Sequence, residues 1–277
     1  MRAVVAAAVV ALAAACTDTE FTPRWRVERL RVVAVVADPP DAQPGEAVTL
    51  TAVTATRAGA TGEPRVVWAS CPRMGIDNVT GARRCEGAPT VVDGRVARFT
   101  LGEVAADGAP WAFFGIACLG GAIGLDPATM LPRCTGGEGE VFLRTVRARR
   151  GAANHNPRIA RVLLADLPLS ADETVSVYGP PQISGMLRVE FAEGSREAYD
   201  EAQPDGSVRS MREALLTQFL TDGGSLAGSF RSDDEGGEGP HEMYYLAPVA
   251  RDVRIWVVVS DGRGGFDVAA RALDLTP

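Results

Sequence analysis

The chain repeats itself over a span the size of a domain, and that repeat limits what it can fold into. "LRVVAVVADPPDAQPGEAVTLTAV" from Leu30 and "PRIARVLLADLPLSADETVSVYG" from Pro157 share one skeleton: an apolar run ending in Ala-Asp, a Pro-containing turn, a Glu, then alternation. Arg31 aligns with Arg158, Asp38 with Asp166 and Glu46 with Glu173, about 127 residues apart once a single-residue gap is allowed. A unit of that length can bury its own core, so the repeat predicts two tandem domains of one kind.

Each copy reads as β. Val48, Leu50 and Ala52 alternate with Thr49 and Thr51, the period-two pattern of a half-buried strand. "PRVVWAS", "VARFTLG", "WAFFGIACL" and "EVFLRTVRA" continue it between Gly, Pro and Asp breaks. Near the C-terminus, Val253 to Val259 and the run from Phe266 flank Asp261-Gly262 and Gly264-Gly265, which predicts a hairpin. "SMREALLTQFL" carries Ser210 and Glu213 at capping-box spacing, but Leu215, Thr217 and Phe219 also alternate. The repeat favours strand there, with Phe219 standing where Trp68 stands in the first copy. Short strands separated by turns imply sandwiches or barrels.

The N-terminus carries an address. Met1 and Arg2 precede an uncharged apolar run from Ala3 to Ala15, too short to span a bilayer and followed by polar Thr17, Asp18 and Glu20. "AAA" before Cys16 satisfies ordinary signal cleavage, and it also resembles a bacterial lipobox with Leu12 one place further upstream than usual. The chain has five cysteines, and acylation of Cys16 leaves Cys71, Cys85, Cys118 and Cys134 to form two disulfides in an oxidising compartment. The expected organisation is a signal peptide at 1–15, a lipid-anchored tether at 16–27, one domain at 28–149, a polar linker at 150–156 and a second domain at 157–277.

"ADPPDAQPGEAVTLTA" resembles the first-to-second strand region of bacterial immunoglobulin-like and PKD-like modules. With "RVVWASCP" and "VRIWVVVSDGRGG" added, the chain resembles lipoproteins of myxobacteria and their relatives. The resemblance implies an all-β fold of two tandem immunoglobulin-like β-sandwiches and leaves activity open. It makes Trp68 the residue that fills the space between the sheets. Antibody-type domains bridge their second and sixth strands, whereas here Cys71 follows the third. Cys71 and Cys118 would then lie at opposite ends of the sheet, too far for a bond. Of the three possible pairings this favours Cys71 with Cys85 and Cys118 with Cys134, each closing a local loop.

Composition and motifs exclude more than they assign. A net charge of −7 argues against nucleic acid as a partner. All 28 basic residues are Arg, so no phosphate-binding G-x-x-x-x-G-K can exist. The cysteines lack a C-x-x-C pair, which disfavours zinc. "SDDEGGEGPHE" gathers Asp233, Asp234, Glu235, Glu238 and Glu242 beside His241 without matching a calcium motif, and reads as a solvated loop. His155 and His241, the two histidines, fall in polar Gly/Pro/Asn-rich segments, and "GGSLAG" has Ala227 where a nucleophile elbow needs Gly. Trp25 and Trp111 are the aromatics least explained by strand patterns.

The expectation is a non-enzymatic, lipid-anchored protein of the cell envelope, at the outer membrane, without metal or cofactor. It would act as a scaffold or protein-binding module with an envelope protein or glycan as partner. Its recognition is expected on the segments Cys118 to Cys134 and Gly179 to Asp205, with the second domain projecting from the membrane. The alternatives are a carbohydrate-binding or hydrolase-accessory protein, or a secreted adhesin if Cys16 carries no lipid.

Overall fold

Along "AVTLTAVTA" the side chains of Val48, Leu50 and Ala52 are buried and those of Thr49 and Thr51 half-buried, so one face of this strand meets a core. The same logic recurs throughout the computed structural model, which describes residues 23–276 except 72, 77–82, 104–109, 150–151, 179–183, 204, 234–236 and 249–250. Cys16, Asp234 and Glu235 lie outside the described residues.

The first half contributes β1 (Arg31–Asp38), β2 (Asp41–Ala42), β3 (Ala47–Ala55), β4 (Arg65–Ser70), β5 (Arg73–Ile76) and β6 (Arg83–Glu86). It continues with β7 (Thr90–Asp93), β8 (Val96–Thr100), β9 (Trp111–Leu119), β10 (Ala122–Leu125), β11 (Pro132–Thr135) and β12 (Glu138–Ala148). The second half contributes β13 (Ile159–Leu164), β14 (Leu167–Pro168), β15 (Val175–Tyr178), β16 (Ser184–Phe191), β17 (Ala198–Ala202) and β18 (Val208–Arg212). Then come β19 (Leu216–Thr221), β20 (Ser225–Leu226), β21 (Phe230–Ser232), β22 (His241–Leu246), β23 (Arg251–Ser260) and β24 (Phe266–Thr276).

These strands form two sandwiches of one topology. In the first, a sheet of order β1-β3-β8 faces one of order β2-β12-β9-β4-β7; in the second, β14-β13-β16-β22-β20 faces β15-β24-β23-β19-β21. In each, the chain leaves the sheet of its first strand and adds a short edge strand to the facing sheet, parallel to that sheet's last strand, β2 beside β12 and β15 beside β24. This Greek-key order with a crossing edge strand is the immunoglobulin-like arrangement.

The repeat is therefore a structural one, with its register corrected in the middle. "ETVSVYG" does not supply the counterpart of β3. It forms β15 at the sheet edge, and the counterpart is β16. The ambiguous segment at 211–220 is not helical: it holds the end of β18, an irregular stretch at 213–215 and most of β19, and Leu215, Thr217 and Phe219 are buried on the second core. Phe219 sits fourth in β19 as Trp68 sits fourth in β4.

The core of the first sandwich turns on one cross-strand row. Phe142, Gly115 and Trp68 lie opposite one another on β12, β9 and β4. The missing side chain of Gly115 lets the two rings meet edge to face at 4.9 Å. Trp68 is fully buried, and its Nε1 donates to the Gly94 carbonyl at 2.8 Å.

The sheet holding β12 in the first sandwich and the sheet holding β24 in the second also bury part of their outer faces, which explains their nearly continuous apolar runs. On the first, the outward rows Leu143–Phe114–Ala69–Val91 and Val141–Ile116–Val67 are covered at their centre. Cys118 and Cys71, on the same outward parity, are bonded to Cys134 and Cys85 with Cα separations of 5.6 and 5.4 Å. The β10–β11 hairpin is drawn across β4, β9 and β12, and the Cys85 N–H ties β6 to it through the Thr129 carbonyl at 3.0 Å. On the second sandwich the cover is the first sandwich. Leu220, Trp256 and Val258 pack with Ala34, Ala55 and Val27 in one apolar cluster. A bulge between Val32 and Ala34 turns β1, so that Val32 joins the first core while Val33 and Ala34 face the other sandwich.

The expected tether behaves differently from a free spacer. Trp25 packs against the second core, its carbonyl accepts the Thr221 N–H at 2.9 Å, and the Val27 N–H donates to the Thr221 carbonyl at 2.9 Å. Trp25 to Val27, at the described end of that tether, thus form a structural part of the second sandwich.

Candidate functional site

The connector between the sandwiches is expected from the sequence to be a polar linker, yet Asn154 is only 2 % exposed. Its backbone N–H donates to Asp41 Oδ2 at 3.2 Å and its side-chain amide to Asp261 Oδ2 at 3.0 Å, one carboxylate from each sandwich. Asp41 also receives Arg149 Nε at 3.2 Å. Asn156 adds a second clamp, donating to the Ala37 carbonyl and accepting the Phe266 N–H, both at 2.9 Å.

Asp261 shapes the hairpin that meets this connector. Its Oδ1 accepts the N–H groups of Arg263, Gly264 and Gly265 at 2.7, 2.9 and 2.8 Å, while Gly262 and Gly264 adopt the positive φ values of 74° and 119° that the tight reversal needs. The turn reaches the first sandwich, where Arg144 Nη2 donates to the Gly264 carbonyl and the guanidinium lies 4.9 Å from the Phe266 ring centre. Between turn and β12 lies an open cleft of about 170 Å³, lined by Arg144, Arg147, Arg263, Gly262 and Phe266 among others. Burial pulls the Arg144 guanidinium below its ordinary value, with Asp261 opposing and Arg147 adding to that effect.

On the far side of the hairpin, Arg263 Nη1 donates to Glu213 Oε1 at 2.8 Å and its guanidinium stacks 4.3 Å from the Tyr199 ring centre. Burial pushes the Glu213 carboxyl up and Asp261 adds to it, against the Glu197 N–H and Arg263. His155 is exposed in the connector and holds Glu197 Oε1 at 2.5 Å through Nδ1.

His241 requires a correction: it opens β22 and is 4 % exposed, not part of a polar loop. Its Nε2 lies 3.0 Å from Asp233 Oδ1 and its Nδ1 2.7 Å from Thr217 Oγ1. Because a carboxylate only accepts, Nε2 carries the proton and Nδ1 accepts from the hydroxyl in the neutral ring. The connectivity is that of a hydroxyl–imidazole–carboxylate triad with the ring reversed, since a hydrolase presents Nε2 to its nucleophile. Thr217 is 0 % exposed, and Arg196 clamps Asp233 at 2.8 and 2.6 Å from the other side. The hydroxyl is sealed from solvent, and the network ties Asp233 to the second core.

The remaining residues singled out in the sequence disperse. Glu238 pairs with Arg212 at 3.1 Å and Glu242 with Arg188 at 2.8 Å, so the described carboxylates of the acidic segment converge on arginines. Among the described residues no cluster of His, Cys, Asp or Glu could hold a metal ion. Gly179 to Asp205 is not one loop, since it contains β16 and β17. Trp111 packs at the rim of the first core and donates to the Gly102 carbonyl at 3.1 Å. The junction itself escaped sequence reasoning; its one local signal is Asp261 ahead of Gly262, Gly264 and Gly265, which marks the turn without naming what it docks on.

No family model matches the chain, and no curated protein matches it. Among solved structures, it is similar to the D0–D1 domain of Intimin at 14 % identity, covering 88 % of this chain and 98 % of that one with a TM-score of 0.26. It is also similar to the N-terminal Ig1-2 module of the Drosophila receptor protein tyrosine phosphatase DLAR, at 8 % identity over 90 % and 100 % with a TM-score of 0.25. Likenesses of this size add no weight to the sheet order and strand register on which the immunoglobulin-like assignment rests.

Proposed function

We propose that this chain is a non-enzymatic protein of the cell envelope, anchored by lipid on Cys16, whose two sandwiches act as one rigid binding or scaffold unit. The observation that carries the non-enzymatic reading is the sealed state of Thr217, His241 and Asp233, the arrangement among the described residues that most resembles catalytic machinery. The rigid unit follows from the Asn154 clamp and the apolar cluster around Trp256, which replace a flexible linker with a packed interface. The two disulfides fit an oxidising compartment.

The test is the intact mass of native protein from cell envelopes, before and after reduction. A lipid-sized increment on a chain beginning at Cys16, with the mass change of two disulfides, supports the anchored reading and directs cross-linking to envelope partners. An unmodified Cys16 overturns the anchor and leaves the secreted adhesin in its place.

A further inference from the structure

We infer that the cleft between the β23–β24 turn and β12 is a binding site for a small oxyanion, either a carboxylate or a phosphate-type group. The site does not depend on the anchor proposed above. Arg144 is 8 % exposed, and among the described residues only its Nη2 finds an acceptor, the Gly264 carbonyl; its buried Nε has none. Among the described residues no carboxylate pairs with it. Asp261, the acidic group close enough to influence it, already accepts three backbone N–H groups on Oδ1 and Asn154 on Oδ2.

A buried cation with unmet donors is costly, and structures resolve that cost with a counter-ion. Arg147 compounds it: it lies on the same cleft, repels Arg144, and has no acceptor among the described residues. Arg263 lines the cleft from the other sandwich but is held by Glu213, so it adds field more than free donors. Arg144 and Arg147, both without carboxylate partners among the described residues, line a hollow of about 170 Å³ beside Phe266, and a guanidinium is the group whose forked donors grip carboxylate and phosphate oxygens. Because Arg144 and Arg147 belong to the first sandwich and Gly262 and Arg263 to the second, an anion here would also brace the junction.

The experiment titrates the folded, disulfide-intact chain with inorganic phosphate and, separately, with acetate, at constant ionic strength in chloride, by calorimetry and thermal unfolding. Saturable one-to-one binding with a raised unfolding midpoint is expected. Arg147→Gln, an exposed position that leaves the fold intact, should weaken it about tenfold, the weight of one charge-assisted hydrogen bond. Arg144→Gln should abolish it, and the same change at exposed Arg133, remote from the cleft, should leave it unaltered. Phosphate without acetate assigns a tetrahedral ligand, acetate without phosphate a planar one, and both support the site. Absence of saturation with either anion, or equal affinity in the Arg147→Gln protein, overturns it.

Discussion

Asn154 donates its side-chain amide to Asp261 at 3.0 Å while its own backbone N–H donates to Asp41, so a single buried residue ties a carboxylate of one sandwich to a carboxylate of the other. Replacing it with Ala removes the amide and leaves Asp261 Oδ2 short of a donor in a buried setting. Asn154→Ala is expected to cost about 1–3 kcal/mol and to widen the spread of inter-sandwich angles. Small-angle scattering checks the second outcome, and an unchanged profile would show that the apolar cluster alone sets the angle.

Trp25 and Val27 precede the first sandwich in sequence but serve the second in space. Trp25→Ala should destabilise the second sandwich by about 2–3 kcal/mol, less than a fully buried Trp because the ring is partly exposed. Hydrogen exchange should then quicken at β19, where Thr221 exchanges hydrogen bonds with this segment, while β4 and β9 keep their protection. Equal loss in both sandwiches would contradict this division.

At Gly115 a methyl group would enter the Phe142 ring. Gly115→Ala is therefore expected to cost about 1–3 kcal/mol through overpacking. At Gly124, where the added carbon meets nothing within 4 Å and the backbone is not left-handed, the same change should stay within about 0.5 kcal/mol. Denaturant midpoints of the two variants make the comparison.

Acid should release the Asp233 network. Burial pushes this carboxyl up, but hydrogen bonds from Arg196, the Leu215 N–H and His241, with the Arg196 charge, outweigh it and hold its pKa below the ordinary carboxylate value. A carboxyl held lower in the folded chain stabilises the fold above its unfolded value of about 3.9 and gives up that contribution as the pH falls through the folded value. Asp233→Asn should cost about 3–5 kcal/mol at neutral pH by stranding Arg196, and should flatten the loss of stability below about pH 4. Thermal unfolding across the acid range reads both. Parallel acid limbs in the two proteins would place the acid sensitivity elsewhere.

The strands were legible because alternation is a local property that tertiary context here respects. Val48, Leu50 and Ala52 declare their buried face, and the repeat points to β19 by giving Phe219 the place in the second copy that Trp68 has in the first. What alternation cannot say is which sheet a strand joins. "ETVSVYG" carries the pattern of β3, yet it pairs with β24 because its partner lies far along the chain. Nor can it say what covers an outward face: Leu220, Trp256 and Val258 read as strand residues, and only the docking of β1 reveals why they are apolar. His241 was misread because Gly239 and Pro240 flank it, while the Arg196 that makes its burial tolerable is remote in sequence.

The entry of the chain at Trp25 and Val27 has a mechanical consequence. Since Val27 lies in the cluster shared by both sandwiches, whatever precedes Pro23 joins the molecule at its waist. A load applied from that end is borne first by the pairing with Thr221, before any strand of the first sandwich is stretched.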